Sequence, residues 1–399
     1  MIKINKDNLI IFFLFFISFF GFYNFHVNIY IMCLATLLIA ILIKTQKINR
    51  NILYKNQWGY FFFLLVLIIT ALTSYDKIES FKYLTMFGTI YLCSFFSVNK
   101  NENAIKNIFI FLCWIEVICI LLQSMGLNFI NIFNEHVLPN DILSSMYNNY
   151  NVTGSFSGIA GDLPNIMFFS IMFFMYYFIC YLIDLEKKSL IISILGLISV
   201  FLCGKRSGLI ILAISVFLIF LLNMYIEKKL NLKLLIVLLM ICLLAIYILF
   251  FTRMGDLIVN KNSILIKNGD SSNGRFDLIK QMIEIFKVNP IFGIGSLATR
   301  KYYGSVLGHN IYIQVLSENG LIGLGALLYM LLNNFNYSLK RLRIIETKKE
   351  KEQCLFSIAI QVFFIIYGFF GNPLYGPVFL IPYIIFSVMN TKLYVENKI

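Results

Sequence analysis

Long apolar runs separated by short polar segments recur from the beginning of the chain to its end. A helix needs about 20 mostly apolar residues to cross ~30 Å of hydrocarbon, and the pattern predicts about twelve such helices. Their predicted ranges are 9–23, 27–43, 59–74, 82–98, 107–123, 162–183, 189–203, 207–225, 234–251, 310–332, 354–370 and 374–390. The apolarity is continuous rather than alternating, which favours helices over a transmembrane β-barrel. We therefore expect an all-α, polytopic membrane protein with a single membrane domain over residues 1–399.

The composition agrees with this fold class. Hydrophobic residues make up 59% of the chain and charged residues only 13%, which is too little polar material to cover a soluble protein of this length. The eight cysteines lie in or at the ends of apolar runs, so we interpret them as small buried side chains rather than a disulfide framework or a zinc site. The first apolar run lacks a small-residue cleavage site, and we interpret it as an uncleaved span.

The basic residues predict the orientation of the chain. With both termini in the cytoplasm, most of the 33 Lys and Arg fall on the cytoplasmic side, which explains the net charge of +13 without nucleic acid. Two long outer loops are expected at 126–161 and 252–308. The first contains no Lys or Arg, whereas the second is basic, and a tight outer turn carries Lys205 and Arg206. Positive charge kept outside against the topology rule indicates a polyanionic ligand there.

The second outer loop contains a predicted amphipathic helix. Arg275 opens this helix, Asn273 is its predicted N-cap, and Asn289 with Pro290 ends it. The predicted apolar face consists of Phe276, Ile279, Ile283 and Phe286. Such a helix is expected to lie on the membrane surface or against the helix bundle.

Three arginines are candidates for anion binding. A guanidinium group is always charged and forks onto phosphate oxygens, so Arg206 and Arg275 are suited to a phosphate ligand. The alternatives are that Lys205 and Arg206 reach lipid headgroups and that Arg275 is a surface residue of an interfacial helix. Arg300 and Lys301 precede two tyrosines, a combination that suits a sugar or phosphate but also an interfacial aromatic belt.

One histidine and two glutamates complete the set of candidates. His309 lies just before a predicted span, where a neutral imidazole can accept a proton from a hydroxyl group; the alternative is a helix-capping role. Glu318 lies nine residues later, off the face of His309, and we interpret it as a structural carboxylate that pairs with an arginine. Glu116 lies in the middle of a span and is either functional or a buried structural carboxyl group.

Several motifs of other enzyme classes are missing from the sequence. It contains no Walker A, GxGxxG, HExxH or paired CxxC motif, and no DxD pair of the kind that many sugar-nucleotide transferases use. We therefore expect no nucleotide, no nucleotide sugar, no cofactor and no obligate metal.

Four motifs together resemble the O-antigen polymerase and ligase superfamily. They are GKRSG between two spans, NGRF, NPIFGIG, and HNIYIQVLSENGLIG at the start of a later span. The similar core extends from Ile191 to Leu332, and the earlier spans agree only in number and hydropathy. The order of these motifs is specific to the superfamily but separates its members weakly.

The resemblance implies both a fold and a reaction. It implies about twelve helices with a large periplasmic loop, in the bacterial inner membrane, and inverting, metal-independent glycosyl transfer from an undecaprenyl-diphosphate-linked glycan to an acceptor glycan. Carried onto this sequence, it implies that Arg206 and Arg275 bind the donor diphosphate and that His309 activates the acceptor hydroxyl. Lys205, Arg300 and Glu318 are accessory candidates. A chain-length regulator and a flippase are the further partners expected from the resemblance.

Three functions remain open at this point. A polymerase that joins lipid-linked repeat units for O-antigen or capsular polysaccharide is our first choice. A ligase that transfers finished glycan to lipid A-core in lipopolysaccharide biosynthesis is the alternative, although the second outer loop is compact for a ligase. The absence of arginine from the first outer loop departs from polymerases with basic motifs in both loops. A transporter or flippase requires broken, charged helices and related halves, and the halves of this chain do not look alike.

Overall fold

A computed structural model describes residues 6–20, 57–97, 102–153, 155–159, 163–227, 274–303 and 308–396. Within these ranges the regular structure is helical and contains no strand, so the all-α prediction is confirmed there. The helices are α1 (Lys6–Phe20), α2 (Trp58–Thr73), α3 (Lys77–Ser97), α4 (Glu102–Ser124), α5 (Phe129–Val137), α6 (Asn140–Thr153), α7 (Leu163–Asp184), α8 (Lys187–Leu202), α9 (Arg206–Glu227), α10 (Arg275–Val288), α11 (Thr299–Tyr303), α12 (Ile311–Ile344), α13 (Lys348–Tyr367) and α14 (Pro377–Glu396).

Five of the described helices, namely α4, α7, α9, α12 and α14, are long and apolar enough to cross a membrane. They coincide with the spans predicted at 107–123, 162–183, 207–225, 310–332 and 374–390. The protein is therefore a multi-pass membrane protein. The predicted spans at 27–43 and 234–251 lie outside the described residues, and the total of about twelve spans stays a prediction.

The first polar segment, 126–161, contains more regular structure than its sequence indicated. The helices α5 and α6 occupy much of it, although its many Asn, Ser and Tyr residues favour a loop. Helix α5 is amphipathic: it buries Ile130 and exposes Phe129 and Ile132. Whether this segment lies outside the cell stays a prediction.

The chain divides into two compact units that share the continuous helix α4. The first unit contains the described residues up to Ile108 and from Gly274 onward, and the second contains those from Phe109 to the end of α9. In the first unit, α12 packs against α2, α10, α13 and α14, and α14 also packs against α1 and α3. In the second unit, α7 packs against α8 and α9. The prediction of one membrane domain over the whole chain stays a prediction.

Helix α12 is the longest helix described, and it is broken near its beginning. Asn310 is its N-cap, and its side chain accepts hydrogen bonds from the backbone N–H groups of Tyr312 and Ile313 at 3.0 and 3.2 Å. Gly320 leaves the helical conformation with φ 67° and ψ −166°. The predicted span ended at 332, but the helix continues to Ile344.

The segment 290–295 fills this break in α12. The N–H of Leu321 donates to the carbonyl oxygen of Pro290 at 2.9 Å, and the N–H of Gly295 donates to the carbonyl oxygen of Glu318 at 2.7 Å. An unpaired backbone group inside a membrane protein costs several kcal/mol. The segment therefore satisfies the groups that Gly320 releases from the helix.

A buried ionic cluster ties together the other end of α12. Arg341 is only 1% exposed; it donates to Glu102 at 2.9 Å and also to the side-chain oxygen of Asn390. Beside it, Lys106 pairs with Glu352 at 2.6 Å. These five residues, called the Arg341 cluster below, connect α4, α12, α13 and α14.

Candidate functional site

Helix α10 confirms most of the amphipathic helix predicted in the second outer loop. It begins at Arg275 and ends at Val288, just before the predicted stop at Pro290. Its N-cap is Gly274 rather than Asn273, so the predicted cap is wrong; Asn273 itself lies outside the described residues. The physical reason is that Gly274 has φ 78°, a left-handed conformation that glycine adopts without strain, and the helix starts directly after it.

The face through which α10 packs differs in part from the predicted face. Met282 and Ile285 are buried, and Ile285 packs with Ile294 of the following segment. Two residues of the predicted face are instead exposed, Phe276 at 64% and Ile283 at 38%. The helix thus packs through a neighbouring stripe because the periodicity of α10 supports two adjacent apolar stripes.

The basic residues of α10 fall into two groups. Lys280 and Lys287 are exposed and pair with acidic residues one turn earlier, Asp277 at 3.9 Å and Glu284 at 2.6 Å. Arg275 is half-buried and forms no ion pair with any residue that the structure describes. It lies at a helix N-terminus, where backbone N–H groups and the helix dipole favour an anion.

Arg300 lies on the short helix α11 and is half-buried. Its Nε atom is enclosed by protein, and among the described residues no acceptor forms a hydrogen bond with it. An enclosed guanidinium N–H without an acceptor is unfavourable unless a ligand or water supplies one. The neighbouring Lys301 is exposed.

His309 occupies the turn before α12 and its residue is exposed. Its φ is 52°, a left-handed conformation that is strained for a residue with a Cβ atom. On one side of it, the N–H of Gly308 donates to Oε1 of Gln314 at 2.7 Å; on the other, the N–H of Ile311 donates to the carbonyl oxygen of Gly368 at 2.9 Å. The capping role that was the alternative for His309 belongs instead to Asn310.

Glu318 is completely buried and is held by neutral donors. Thr299 and Gln314 donate to its Oε1, the latter at 2.7 Å, and the hydroxyl group of Tyr375 donates to its Oε2 at 2.7 Å. We call these four residues the Glu318 cluster. An ion pair with an arginine was expected, but none forms among the residues that the structure describes. The donors belong to α11, α12 and the segment before α14, and their hydrogen bonds occupy the positions around this carboxylate that an arginine would need.

The Glu318 cluster links the two ends of the segment 300–308. Thr299 directly precedes Arg300, and Gln314 binds the backbone of Gly308, which directly precedes His309. Residues 304–307 lie outside the described residues. Arg300 therefore follows Thr299, which binds the carboxylate of Glu318 directly. His309 follows Gly308, which is connected to the same carboxylate through Gln314.

The histidine turn also packs against α10. A Cβ atom on Gly308 would lie 2.2 Å from the Sδ and Cε atoms of Met282, so the end of this flexible side chain is in close contact with the turn. Met282 follows Arg275 by seven residues, which is about 10 Å along a helix. Arg275, Arg300 and His309 thus all belong to segments of the first unit that pack together.

Arg206 belongs to the second unit. It is the first residue of α9, and its side chain lies outside the described residues. The preceding turn contains Gly204 with φ 63°, where a Cβ atom would lie 2.6 Å from Oγ of Ser155. Lys205 is half-buried in the same turn. The meeting of Arg206 with the candidate residues of the first unit stays a prediction.

Glu116 is also completely buried, in the second unit. Its Oε2 accepts a hydrogen bond from the N–H of Ile159 at 3.1 Å, and Gln123 and Asn134 bind the backbone of Gly158 at 2.7 and 2.8 Å. These side chains hold the segment before α7 in place. The arrangement favours the structural alternative for Glu116.

Gln314 and Tyr375 were not among the residues singled out by sequence. Gln314 lies inside the motif HNIYIQVLSENG, but nothing in the motif shows that its amide reaches back to Gly308. Tyr375 is 57 residues away from Glu318 in the chain, and no local pattern connects the two. Within the described residues, no three His, Cys, Asp or Glu side chains form a group that could hold a metal, and metal independence stays a prediction.

The fold and the site define a multi-pass helical membrane protein in which half-buried arginines and an exposed histidine follow one another along the chain. Residues 191–328 match the O-antigen ligase family. This match confirms the resemblance to the O-antigen polymerase and ligase superfamily, whose members are glycosyltransferase-like enzymes. It agrees with the predicted core of 191–332 and includes six of the candidate residues, namely Lys205, Arg206, Arg275, Arg300, His309 and Glu318, whereas Glu116 lies outside it. No curated protein matches the chain.

Proposed function

We propose that the protein is a polysaccharide polymerase of the bacterial inner membrane, with both termini in the cytoplasm. It transfers a glycan from an undecaprenyl-diphosphate carrier to a hydroxyl group of an acceptor glycan on the outer face of the membrane. The match over residues 191–328 supports this class of reaction. The observation that carries the assignment of the site is the enclosed Arg300 Nε without an acceptor among the described residues, on a segment whose other end leads into His309.

The arginines have the chemistry to bind the leaving group. When the bond between the anomeric carbon and the phosphate oxygen breaks, the diphosphate departs with the electron pair of that bond and its negative charge increases. Guanidinium groups that already face the leaving oxygen stabilise this charge without rearranging. Arg275 at the N-terminus of α10 and Arg300 on α11 supply such groups, and Arg206 is proposed to act with them.

His309 has the chemistry to activate the acceptor. Its neutral imidazole accepts the hydroxyl proton while the hydroxyl oxygen forms the new bond to the anomeric carbon. The protonated ring then releases this proton to water. An exposed histidine at the start of a helix, held by a fixed backbone, is accessible to a large acceptor glycan.

The test is to reconstitute purified variants in liposomes with an undecaprenyl-diphosphate-linked repeat unit and to measure polymer formation. We expect His309→Ala and Arg275→Ala to lower the rate by about 100-fold, in the range found for loss of a general base or a charge-stabilising donor. Lys280→Ala is the matched control, since it removes an exposed, paired cation from the same helix. Normal polymer from both His309→Ala and Arg275→Ala at equal protein levels would refute the proposed mechanism.

A ligase is the second candidate because the family that matches residues 191–328 is described as O-antigen ligase. The glycans of a deletion strain separate the two functions. Loss of a polymerase leaves single repeat units attached to the acceptor, whereas loss of a ligase leaves long glycan on the lipid carrier. We expect the first pattern, and the second would assign the same site to ligation.

A further inference from the structure

We propose that Glu318 is a positioning residue that sets the conformation of the His309 turn through the side chain of Gln314. This proposal rests on the proposed function, in which His309 accepts the proton of the acceptor hydroxyl. Glu318 itself touches neither substrate in this view. It acts through two hydrogen bonds and one backbone turn.

The first step is the cost of the buried carboxylate. Glu318 has no exposed surface and lies on a helix long and apolar enough to cross a membrane. An ionisable group in such a place is expensive, and it is usually retained where it has a specific partner or task. Its partners are the side chains of Thr299, Gln314 and Tyr375 and the backbone of Leu297, all neutral donors, so pairing of opposite charges among the described residues does not explain why it is present.

The second step is the orientation of the Gln314 amide. An ionised carboxylate only accepts hydrogen bonds, so Glu318 requires the NH₂ end of Gln314 to face it. The observed bond from Nε2 of Gln314 to Oε1 of Glu318 is 2.7 Å long. The carbonyl end then faces the other way and accepts the N–H of Gly308, also at 2.7 Å. A reversed amide would place an NH₂ group against that N–H, and both bonds would be lost.

The third step is the strain in the His309 turn. A non-glycine residue with φ near 52° costs about 1–2 kcal/mol and persists only where its surroundings hold it. After His309, the backbone is held by the Asn310 cap and by the bond from Ile311 to Gly368. Before it, the bond from Gly308 to Gln314 serves this purpose. Glu318 is therefore the fixed end of the chain of contacts on that side.

The same carboxylate oxygen also accepts from Thr299, the residue before Arg300. One buried group thus fixes the residue preceding the arginine and, through Gln314, the residue preceding the histidine. This arrangement suits a site in which a cation for the leaving group and a base for the acceptor must keep a constant separation. Small misplacements of such groups lower rates strongly.

The decisive experiment exchanges the two side chains. Gln314→Glu places two carboxylates together, and Glu318→Gln removes the charge that orients the amide. We expect each single change to lower kcat by about tenfold, with KM for the acceptor nearly unchanged because an interaction used only in the transition state is lost. The double variant Gln314→Glu/Glu318→Gln restores the pair in reverse, since the amide now at position 318 donates to the carboxylate now at position 314, which still accepts from Gly308. It should recover kcat to within about threefold of the parent.

A second readout reports on the turn without reference to activity. The chain contains three histidines, so selective isotope labelling gives a small set of imidazole signals, and His309→Ala identifies one of them. We expect this signal to shift in both single variants and to return in the exchanged variant, while the His136 signal stays in place. Glu116→Gln, which changes a buried carboxyl group of the second unit, is the matched control and should leave the His309 signal unchanged.

Two milder variants keep the test informative if the charged ones accumulate poorly. Gln314→Met removes the link to Gly308 but keeps the size of the side chain, whereas Tyr375→Phe removes a donor to Glu318 and leaves that link intact. We expect Gln314→Met to move the His309 signal clearly more than Tyr375→Phe. Equal effects of these two variants, or a His309 signal unmoved by Gln314→Met and Glu318→Gln, would overturn the positioning role.

Failure of the proposed function has a different outcome. If His309→Ala keeps full activity, His309 is not the base. The response of its ring signal to Glu318→Gln would still decide whether Glu318 sets the turn.

Discussion

The Arg341 cluster and the Glu318 cluster are both buried at α12, yet their charges are balanced in opposite ways. Arg341 meets the carboxylate of Glu102, and Lys106 meets Glu352, so each cation has an anion within 2.9 Å. Glu318 meets only neutral donors, and the nearby Arg300 has an enclosed N–H without an acceptor among the described residues. In the first arrangement each charge is paired within the protein, although Nε of Arg341, like Nε of Arg300, has no acceptor among the described residues. The two clusters therefore differ in the pairing of their charges, since neither Glu318 nor Arg300 forms an ion pair with a described residue.

The largest effect is expected from breaking the Arg341 cluster. Arg341→Met leaves Glu102 without its cation, and loss of one partner of a buried ion pair costs about 3–5 kcal/mol. Denaturant unfolding in detergent measures this loss, and the activity of the remaining folded protein should stay normal. Arg343→Met, an exposed change two residues later, is the control. If Arg341→Met is as stable as the parent but inactive, the two clusters do not differ in the way described.

The next largest effect is expected at the break in α12. Gly320→Ala would place a Cβ atom 2.1 Å from the carbonyl oxygen of Ile291 and impose an alanine at φ 67°. We expect a loss of about 2–3 kcal/mol in the free energy of unfolding, from the left-handed conformation and the overlap together. On the same helix, Gly325→Ala meets nothing within 4 Å and serves as the control. Equal stability of these two variants would show that the segment 290–295 does not hold the break.

The smallest effect on stability is expected at Arg300. Arg300→Gln removes an enclosed N–H that has no acceptor in the described part of the chain, so the unfolding free energy should not fall. Polymer formation should fall about tenfold, equivalent to ~1.4 kcal/mol in the barrier. Lys301→Gln changes the exposed neighbour and should alter neither quantity. An Arg300→Gln variant that loses stability but keeps its activity would place Arg300 with the structural contacts.

The sequence predicted the elements whose cause is local. The helix α10 begins at Arg275 and ends before Pro290. Proline lacks an N–H group and disfavours a continued helix, so the end of α10 can be predicted directly from the sequence. The spans corresponding to α4, α7, α9, α12 and α14 follow from apolar length alone. The cap at Gly274 was missed because Asn is the usual choice at such a position and the backbone angle is invisible in the sequence.

What could not be predicted depends on contacts between distant residues. Gly320, Gly323 and Gly325 lie close together and are similar in the sequence. Only Gly320 departs from the helix, because the segment 290–295 competes for its backbone partners. For the candidate site, the arginines and His309 were predicted as individual residues. The connection of Arg300 and His309 to Glu318 needed the positions of Thr299 and Gln314.

The filled break in α12 has a consequence for how the protein is made. Pro290 to Gly295 leave the ribosome before Gly320, so the segment that will complete the helix is already present when the helix enters the membrane. Until the two meet, Ser317 and Glu318 carry carbonyl groups with no helical partner. Docking of this short segment is therefore a step in membrane insertion as well as in folding. Glu318, which is proposed to set the histidine turn through Gln314, takes up its final backbone contacts in that same step.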